Sequence, residues 1–263
     1  MVSFVSLYSG SSKNASLLKY KNTNILVDCG GSFKQIKDQL SKVDMNISDI
    51  DALFITHSHS DHINALPMII NNTEVPIYTS YGTHEEIFDK GINMPKYRRI
   101  IIPDKQEFSI GNIDASAFKT PHDTKFSIGF NFYLGNKSAS YATDIGYMSD
   151  ELLQEFKGRD FLFFESNHDV EMLKNSKRAE FIKQRILSNE GHLSNETSAL
   201  YSSKLVKMGL KRLMLGHLSG EANTPELAYN VTKEKMESEG IKINNDLLLS
   251  VATRDVLSEI ITF

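Results

Sequence analysis

Apolar residues gather in short runs separated by polar turns, and the period of each run predicts its element. Val2 to Leu7 reads as a strand, and after the turn Ser9 to Asn14 further strands are expected near Ser16 to Tyr20 and Ile25 to Asp28. Gly30 and Gly31 break the last of these, and the apolar spacing from Phe33 to Val43 predicts a helix. Ala52 to Thr56, Ile77 to Thr79 and Arg99 to Ile102 predict strands, with a helix over Tyr81 to Lys90 among them. A strand-rich stretch follows at Ile113 to Phe118, Ile128 to Leu134 and Ser138 to Ala142, and the turn Leu134 to Lys137 predicts a hairpin. Phe161 to Glu165 and Leu213 to Gly216 fit buried strands, and helices are expected at Asp169 to Lys174, Asn195 to Lys207 and Thr224 to Glu239. Thr224 and Pro225 suit the N-cap and first position of that last helix. Strands and helices mix without strict alternation, which suggests sheets covered by helices.

The most informative polar cluster follows directly on an apolar run. Ala52-Leu53-Phe54-Ile55 leads into His57-Ser58-His59-Ser60-Asp61-His62, three imidazoles and a carboxylate within six residues. His57 and His59 are two apart and share one side of an extended segment. Asp61 and His62 come where the chain turns towards a helix, and they can face a second ion. Such donors suit zinc, manganese or iron, and desolvating them without a cation would be costly. Three more polar residues follow strand ends: His122, Asp144 and His217. Each alone is compatible with a turn or capping residue. Together they supply the further donors that a two-metal site needs, and an aspartate can bridge two ions.

Composition narrows the setting. The chain has 263 residues, 40% hydrophobic, with a formal net charge of -4. It is not globally basic, so nucleic-acid contact would need a local patch. Cys29 is the sole cysteine, which excludes a disulfide within the chain and favours a reducing compartment; it is expected to be a small buried residue after a strand. No signal-peptide pattern and no apolar run of ~20 residues is visible, so a cytoplasmic location without membrane contact is expected. No repeat, low-complexity tract or Pro/Gly linker divides residues 1–263, and a single domain is expected.

The hexapeptide and the ordered single residues after it resemble the metallo-β-lactamase superfamily of metallohydrolases, from the early hairpin and Leu26-Val27-Asp28-Cys29-Gly30 through His217. The resemblance implies an α/β fold, an αβ/βα four-layer sandwich with metals at the sheet edges. It implies that His57, His59 and His122 hold one divalent ion, that Asp61, His62 and His217 hold a second, and that Asp144 bridges them. Ser9-Gly10-Ser11-Ser12, Glu165-Ser166-Asn167-His168-Asp169, Gly191-His192-Leu193-Ser194-Asn195 and Gly216-His217-Leu218-Ser219 further resemble the YycJ/WalJ exonuclease subfamily. So does Asn223-Thr224-Pro225-Glu226-Leu227-Ala228. A 5'-to-3' DNA exonuclease is what this implies, with a metal-shared hydroxide as attacking group. Related alternatives are a ribonuclease Z-like RNase and a hydrolase of small phosphodiesters, thioesters or lactones. A ribonuclease J-type enzyme fits less well, because the interval from Asp144 to His217 looks too short for that group's inserted domain.

By similarity to ribonuclease Z, Glu165 would orient and charge His192, which would protonate the leaving oxygen; the alternative is that His192 caps the helix near Asn195. Asp61 would help orient the hydroxide, and Asp28 is a candidate for fixing a ligand imidazole. The turn Ser9 to Asn14 would offer donors to phosphate. Lys174, Lys177, Arg178, Lys183 and Arg185 precede His192 with few compensating acids and would track the backbone of a DNA substrate, unless they form a solvated helix face. Lys96 to Arg99 is expected to be surface decoration. His84 is expected to be structural or exposed, and His168 is open between a site residue and a loop histidine.

Overall fold

The computed structural model describes residues 1–103 and 106–263. Fourteen strands and nine α-helices are described. The chain opens with β1 (Val2–Gly10), β2 (Lys13–Tyr20) and β3 (Thr23–Val27), then α1 (Phe33–Ser41) and β4 (Ala52–Phe54). α2 (Ser60–Ile63), α3 (Leu66–Asn72), β5 (Ile77–Thr79), α4 (Tyr81–Asp89) and β6 (Arg99–Ile101) complete the first half. The second half begins with β7 (Phe108–Ile110), β8 (Ile113–Lys119), β9 (Ile128–Leu134) and β10 (Lys137–Ala142). It continues through α5 (Asp150–Glu155), β11 (Phe161–Glu165), α6 (Val170–Asn175), α7 (Glu180–Leu187), α8 (Asn195–Lys207) and β12 (Arg212–Gly216). α9 (Pro225–Ser238), β13 (Leu248–Val251) and β14 (Ile261–Thr262) end the chain.

Two seven-stranded sheets result, ordered β14-β1-β2-β3-β4-β5-β6 and β13-β12-β11-β10-β9-β8-β7. Their facing surfaces share an aromatic core containing Phe4, Phe54, Phe130, Phe132, Tyr141, Phe161 and Phe163. Leu26, Leu53 and Ile55 on the outer face of the first sheet pack with Ile36, Leu40, Leu66, Ile69 and Ile87 from α1, α3 and α4. Leu162, Phe164, Leu213 and Leu215 on the outer face of the second pack with Leu152, Leu205, Ala228 and Met236 from α5, α8 and α9. Both faces of the central strands are therefore covered. That is why Ala52–Phe54 and residues 161–164 read as unbroken apolar runs rather than alternating ones. The four layers are those expected. β7, β13, β14, α3, α5 and α7 were not anticipated; most are short, and β13 has no buried residue in its four.

Caps act where the side chains allow them. Ser32 and Gln35 form a capping box on α1, and Thr224 caps α9 ahead of Pro225. Cys29 is fully buried directly after β3. Arg98 overturns the expectation of a decorative basic cluster: it is 2% exposed, and its Nε and Nη1 donate to the carbonyls of Val75 (3.1 Å) and Ile70 (2.8 Å). Among the described residues no helix is long and apolar enough to cross a membrane.

Candidate metal centre

Strand register gathers the donors. In the first sheet, β4 ends at Phe54 beside Val27 of β3, and the following turn carries His57 to His62. In the second sheet, β10, β11 and β12 run parallel with Ala142 beside Phe164 and Phe164 beside Leu215. Asp144 and His217 each lie two residues beyond that aligned row, so they emerge at the same edge. His122 arrives there from the end of β8.

The backbone at this edge is strained. Asp28, Asp144 and His217 have φ of 60°, 57° and 58°. A left-handed conformation costs a non-glycine residue about 1–3 kcal/mol and concentrates where surroundings over-determine it, commonly at functional sites. Gly30 meets a different demand. A Cβ there would lie 1.8 Å from the Asp61 carbonyl oxygen, so only glycine lets the β3–α1 loop pass under the hexapeptide.

Three groups bring possible ligand atoms within 4.8 Å of one another: His57, His59 and His122; Asp61, His62 and His217; His57, His62 and Asp144. A fourth group of Asp144, Glu165, His192 and His217 adjoins them. Asp144 sits between the histidines: its Oδ1 is 3.5 Å from Nε2 of both His122 and His217, and its Oδ2 is 3.4 Å from Nε2 of His62. Nε2 of His57, Nε2 of His217 and Oδ2 of Asp144 are buried without a hydrogen-bond partner. Buried polar atoms are normally satisfied. Unpaired nitrogens and a carboxylate oxygen converging on one space fit divalent cations, and the residues present suit them.

The charge balance agrees. Burial, with neighbouring imidazoles, pushes His57 well below the usual histidine range and His59 down to about 4; burial also lowers His122. These three are neutral, the state a metal ligand needs. Burial opposes charge on Asp144, but His217, His57, His62 and His122 overcome it and hold the carboxylate well below its normal range. Asp61 is likewise lowered against its burial, chiefly by His62 and His217. Burial also works against charge on His62 and His217. Asp28, Asp61 and Asp144 nevertheless raise His62 well above its normal range, and Asp144, Asp61 and Glu165 raise His217 to about 10. The side of the centre formed by His62 and His217 thus attracts positive charge.

A second set of contacts fixes the rings. Nδ1 of His62 lies 2.8 Å from Oδ2 of fully buried Asp28. The same carboxylate accepts from the N–H (2.9 Å) and hydroxyl (3.0 Å) of Thr56. Glu165 is a hub: its Oε1 is 2.8 Å from Nδ1 of both His192 and His217, and its Oε2 accepts from the N–H groups of Ile145 and Leu193, each at 3.0 Å. Burial resists its charge, yet His192 and His217 bring it down to about 2. Ser194 caps α8, so His192 is not needed there.

Two polar residues escaped sequence reading. Nδ2 of Asn14 donates to Oδ2 of Asp61 at 3.1 Å and to the Gly10 carbonyl at 2.9 Å. Asp123 sets Oδ1 3.5 Å from Nε2 of His59 and 3.3 Å from Nε2 of His122, and its other oxygen pairs with Arg185. Asn14 looked like a turn residue, and Asp123, directly after His122, was the one available signal.

The basic stretch differs from expectation. Lys174 pairs with Glu171, Arg178 with Glu221 and Arg185 with Asp123, while Lys183 donates to the Lys174 carbonyl. Glu171 lies on α6 itself, whereas Glu221 and Asp123 come from distant loops, which is why the local sequence looked largely uncompensated. His84 lies on α4 with Nε2 2.7 Å from Nη1 of Arg99, outside the cluster. His168 is 1% exposed, with neither ring nitrogen hydrogen-bonded, and joins the centre through no ligand group.

Paired mixed sheets between helix layers, with histidine and aspartate donors at strand tips, define the metallohydrolase class of αβ/βα sandwich. Residues 23–218 match the beta-lactamase superfamily domain. The chain is 32% identical over 240 residues to exodeoxyribonuclease YycJ of Bacillus anthracis, covering 91% of both chains. It is 34% identical over 225 residues to exodeoxyribonuclease WalJ of Streptococcus pneumoniae, covering 85% of this chain and 84% of that one. The Zn(2+)-bound PqqB from Methylobacterium extorquens superposes with a TM-score of 0.73 at 14% identity, over 98% of this chain and 99% of that one. The chain belongs to the beta-lactamase superfamily and, within it, to the family of YycJ and WalJ.

Proposed function

We propose that this protein is a metal-dependent nuclease that degrades DNA exonucleolytically in the 5'-to-3' direction with two divalent cations. The observation that carries this reading is Asp144, whose two oxygens face different histidines, Oδ1 towards His122 and His217 and Oδ2 towards His62. The YycJ and WalJ relatives supply the substrate class, and that likeness extends over most of the chain. His57, His59 and His122 would hold one cation and Asp61, His62 and His217 the other, with Asp144 placed to serve both. When bound, such cations activate water and neutralise charge growing on a phosphodiester.

The protein's own groups do the rest. Asp28 and Glu165 fix the ring planes of His62 and His217 from behind, so that each Nε2 points inwards. Asn14 steadies Asp61, leaving its second oxygen to orient the attacking group. His192 has a partly exposed side chain and keeps Nδ1 on Glu165. That arrangement orients the ring and leaves Nε2 to deliver a proton to the leaving oxygen.

Digestion of end-labelled DNA with manganese tests the reading. Asp144→Ala should lose at least about 100-fold in nuclease activity, more than the loss expected for a residue that only supports a ligand. Equal activity in the variant and the parent would reject it.

A further inference from the structure

After β13 the chain crosses from the second sheet to the first. The Ala252 N–H donates to the Leu215 carbonyl at 2.7 Å and the Ser258 N–H to the Ser6 carbonyl at 3.0 Å, so the crossing is tied to β12 at one end and β1 at the other. Arg254 lies within it, beyond the residues matched to the superfamily domain. Its Cγ is 3.2 Å from where a Cβ would stand on Gly10, and its Nη1 is 2.9 Å from the same point on Gly220. The side chain therefore lies across two backbones whose glycines leave it room.

Both backbones belong to the wall of the metal centre. Gly10 bridges to Leu218, the residue after His217, and the His217 N–H donates to Oγ of Ser9 at 2.6 Å. The Gly10 N–H donates to Oδ1 of Asn14 at 3.0 Å, and Nδ2 of Asn14 reaches Asp61. The guanidinium thus lies behind the flank formed by Asp61 and His217.

Its chemistry is unspent. Among the described residues no hydrogen bond or ion pair engages the Arg254 guanidinium, although the residue is partly buried. The cations that flank the centre are committed: Lys13 to Asp255, Arg178 to Glu221 and Arg185 to Asp123. Ser11 and Ser12, exposed at the tip of the β1–β2 hairpin, have side-chain hydroxyls without a partner among the described residues. A planar fork of five donors matches the paired oxygens of a phosphodiester better than any group beside it.

We propose that Arg254, with the hairpin tip at Ser11 and Ser12, forms a subsite for a phosphate of the nucleic-acid strand next to the one being cleaved. It deepens the nuclease reading and rests on it. The subsite lies on the Asp61–His217 flank.

The test compares two substrates of the manganese-loaded protein: a single-stranded oligonucleotide and bis(p-nitrophenyl) phosphate, which has no neighbouring phosphate. Arg254→Met should lower kcat/KM for the oligonucleotide about tenfold more than for the small diester, mainly through KM, and should flatten the salt dependence by about one unit of slope. Arg254→Lys should recover part of the loss, because it restores charge without the fork. Gly220→Ala, which sets a methyl 2.9 Å from Nη1, should raise KM in the same direction and substitutes if Arg254→Met does not fold. Equal losses on both substrates, or an unchanged salt slope, would overturn the proposal. If the parent protein cleaves neither substrate, the nuclease reading fails by itself. The subsite is then judged by fluorescence anisotropy of a labelled oligonucleotide, and it falls if Arg254→Met binds as tightly as the parent.

Discussion

The two sheets furnish one centre by different devices. The first delivers His57, His59, Asp61 and His62 from a single hexapeptide after β4, and one buried carboxylate, Asp28, steadies it. The second delivers His122, Asp144 and His217 one at a time from the ends of β8, β10 and β12, and a single residue, Glu165, ties the ends of β10, β11 and β12 together. A contiguous motif needs only local geometry to bring its donors together. Scattered donors depend on strand register, since a slip of one residue turns a side chain to the other face. The second half should therefore be the more sensitive to loss of its buried carboxylate.

The largest effect is expected from exchanging those carboxylates. Asp28→Asn and Glu165→Gln should each weaken metal binding about 10–100-fold. Glu165→Gln should stand at the upper end because it releases His192 and His217 together. Metal titration of the two stripped variants decides this, and equal losses would erase the distinction between the halves.

A smaller effect separates the two halves of the ligand set by proton release. His57, His59 and His122 are already neutral and have no proton to displace. His217, raised to about 10, keeps its proton at neutral pH and must surrender it to become a ligand. His62 is raised as well, so affinity at the His62–His217 side should rise up to about tenfold per pH unit for each of the two protons released between pH 7 and 9, while the other side stays nearly flat. Chelator competition over that range reads both slopes, and two flat slopes would contradict the assignment.

The smallest effect concerns the basic stretch. Lys174 and Lys183 are engaged with Glu171 and a main-chain carbonyl. Replacing Lys174, Lys177 and Lys183 together by alanine should change oligonucleotide KM by less than about threefold, in keeping with the small worth of exposed charge pairs. A larger rise would move the substrate path back to this side.

Much of this was legible in one dimension. β5, β9 and β11 have the bounds their apolar runs predict, because burial on both faces favours apolar residues along most of each strand. The donors were legible for another reason: His and Asp directly after buried strands have few roles other than binding. The hub role of Glu165, with one oxygen on both His192 and His217, was only half visible, since sequence similarity suggested His192 alone. Asn14 and Asp123 carried no periodic or compositional signal. The partners of Arg178 and Arg185 lie 43 and 62 residues away along the chain, so the pairing of these two arginines was beyond local reading.

By itself, then, the chain's order of residues determined which segments are buried, that a cation-binding turn follows β4, and which later residues could complete it, because those follow from hydropathy and ligand chemistry at each position. Tertiary structure alone decided that Glu165 serves two histidines, that Arg178 and Arg185 are already paired, and that Arg254, across Gly10 and Gly220, has no hydrogen bond or ion pair among the described residues. Those facts depend on distances between strands far apart in sequence, which sheet register and the final crossing between sheets set.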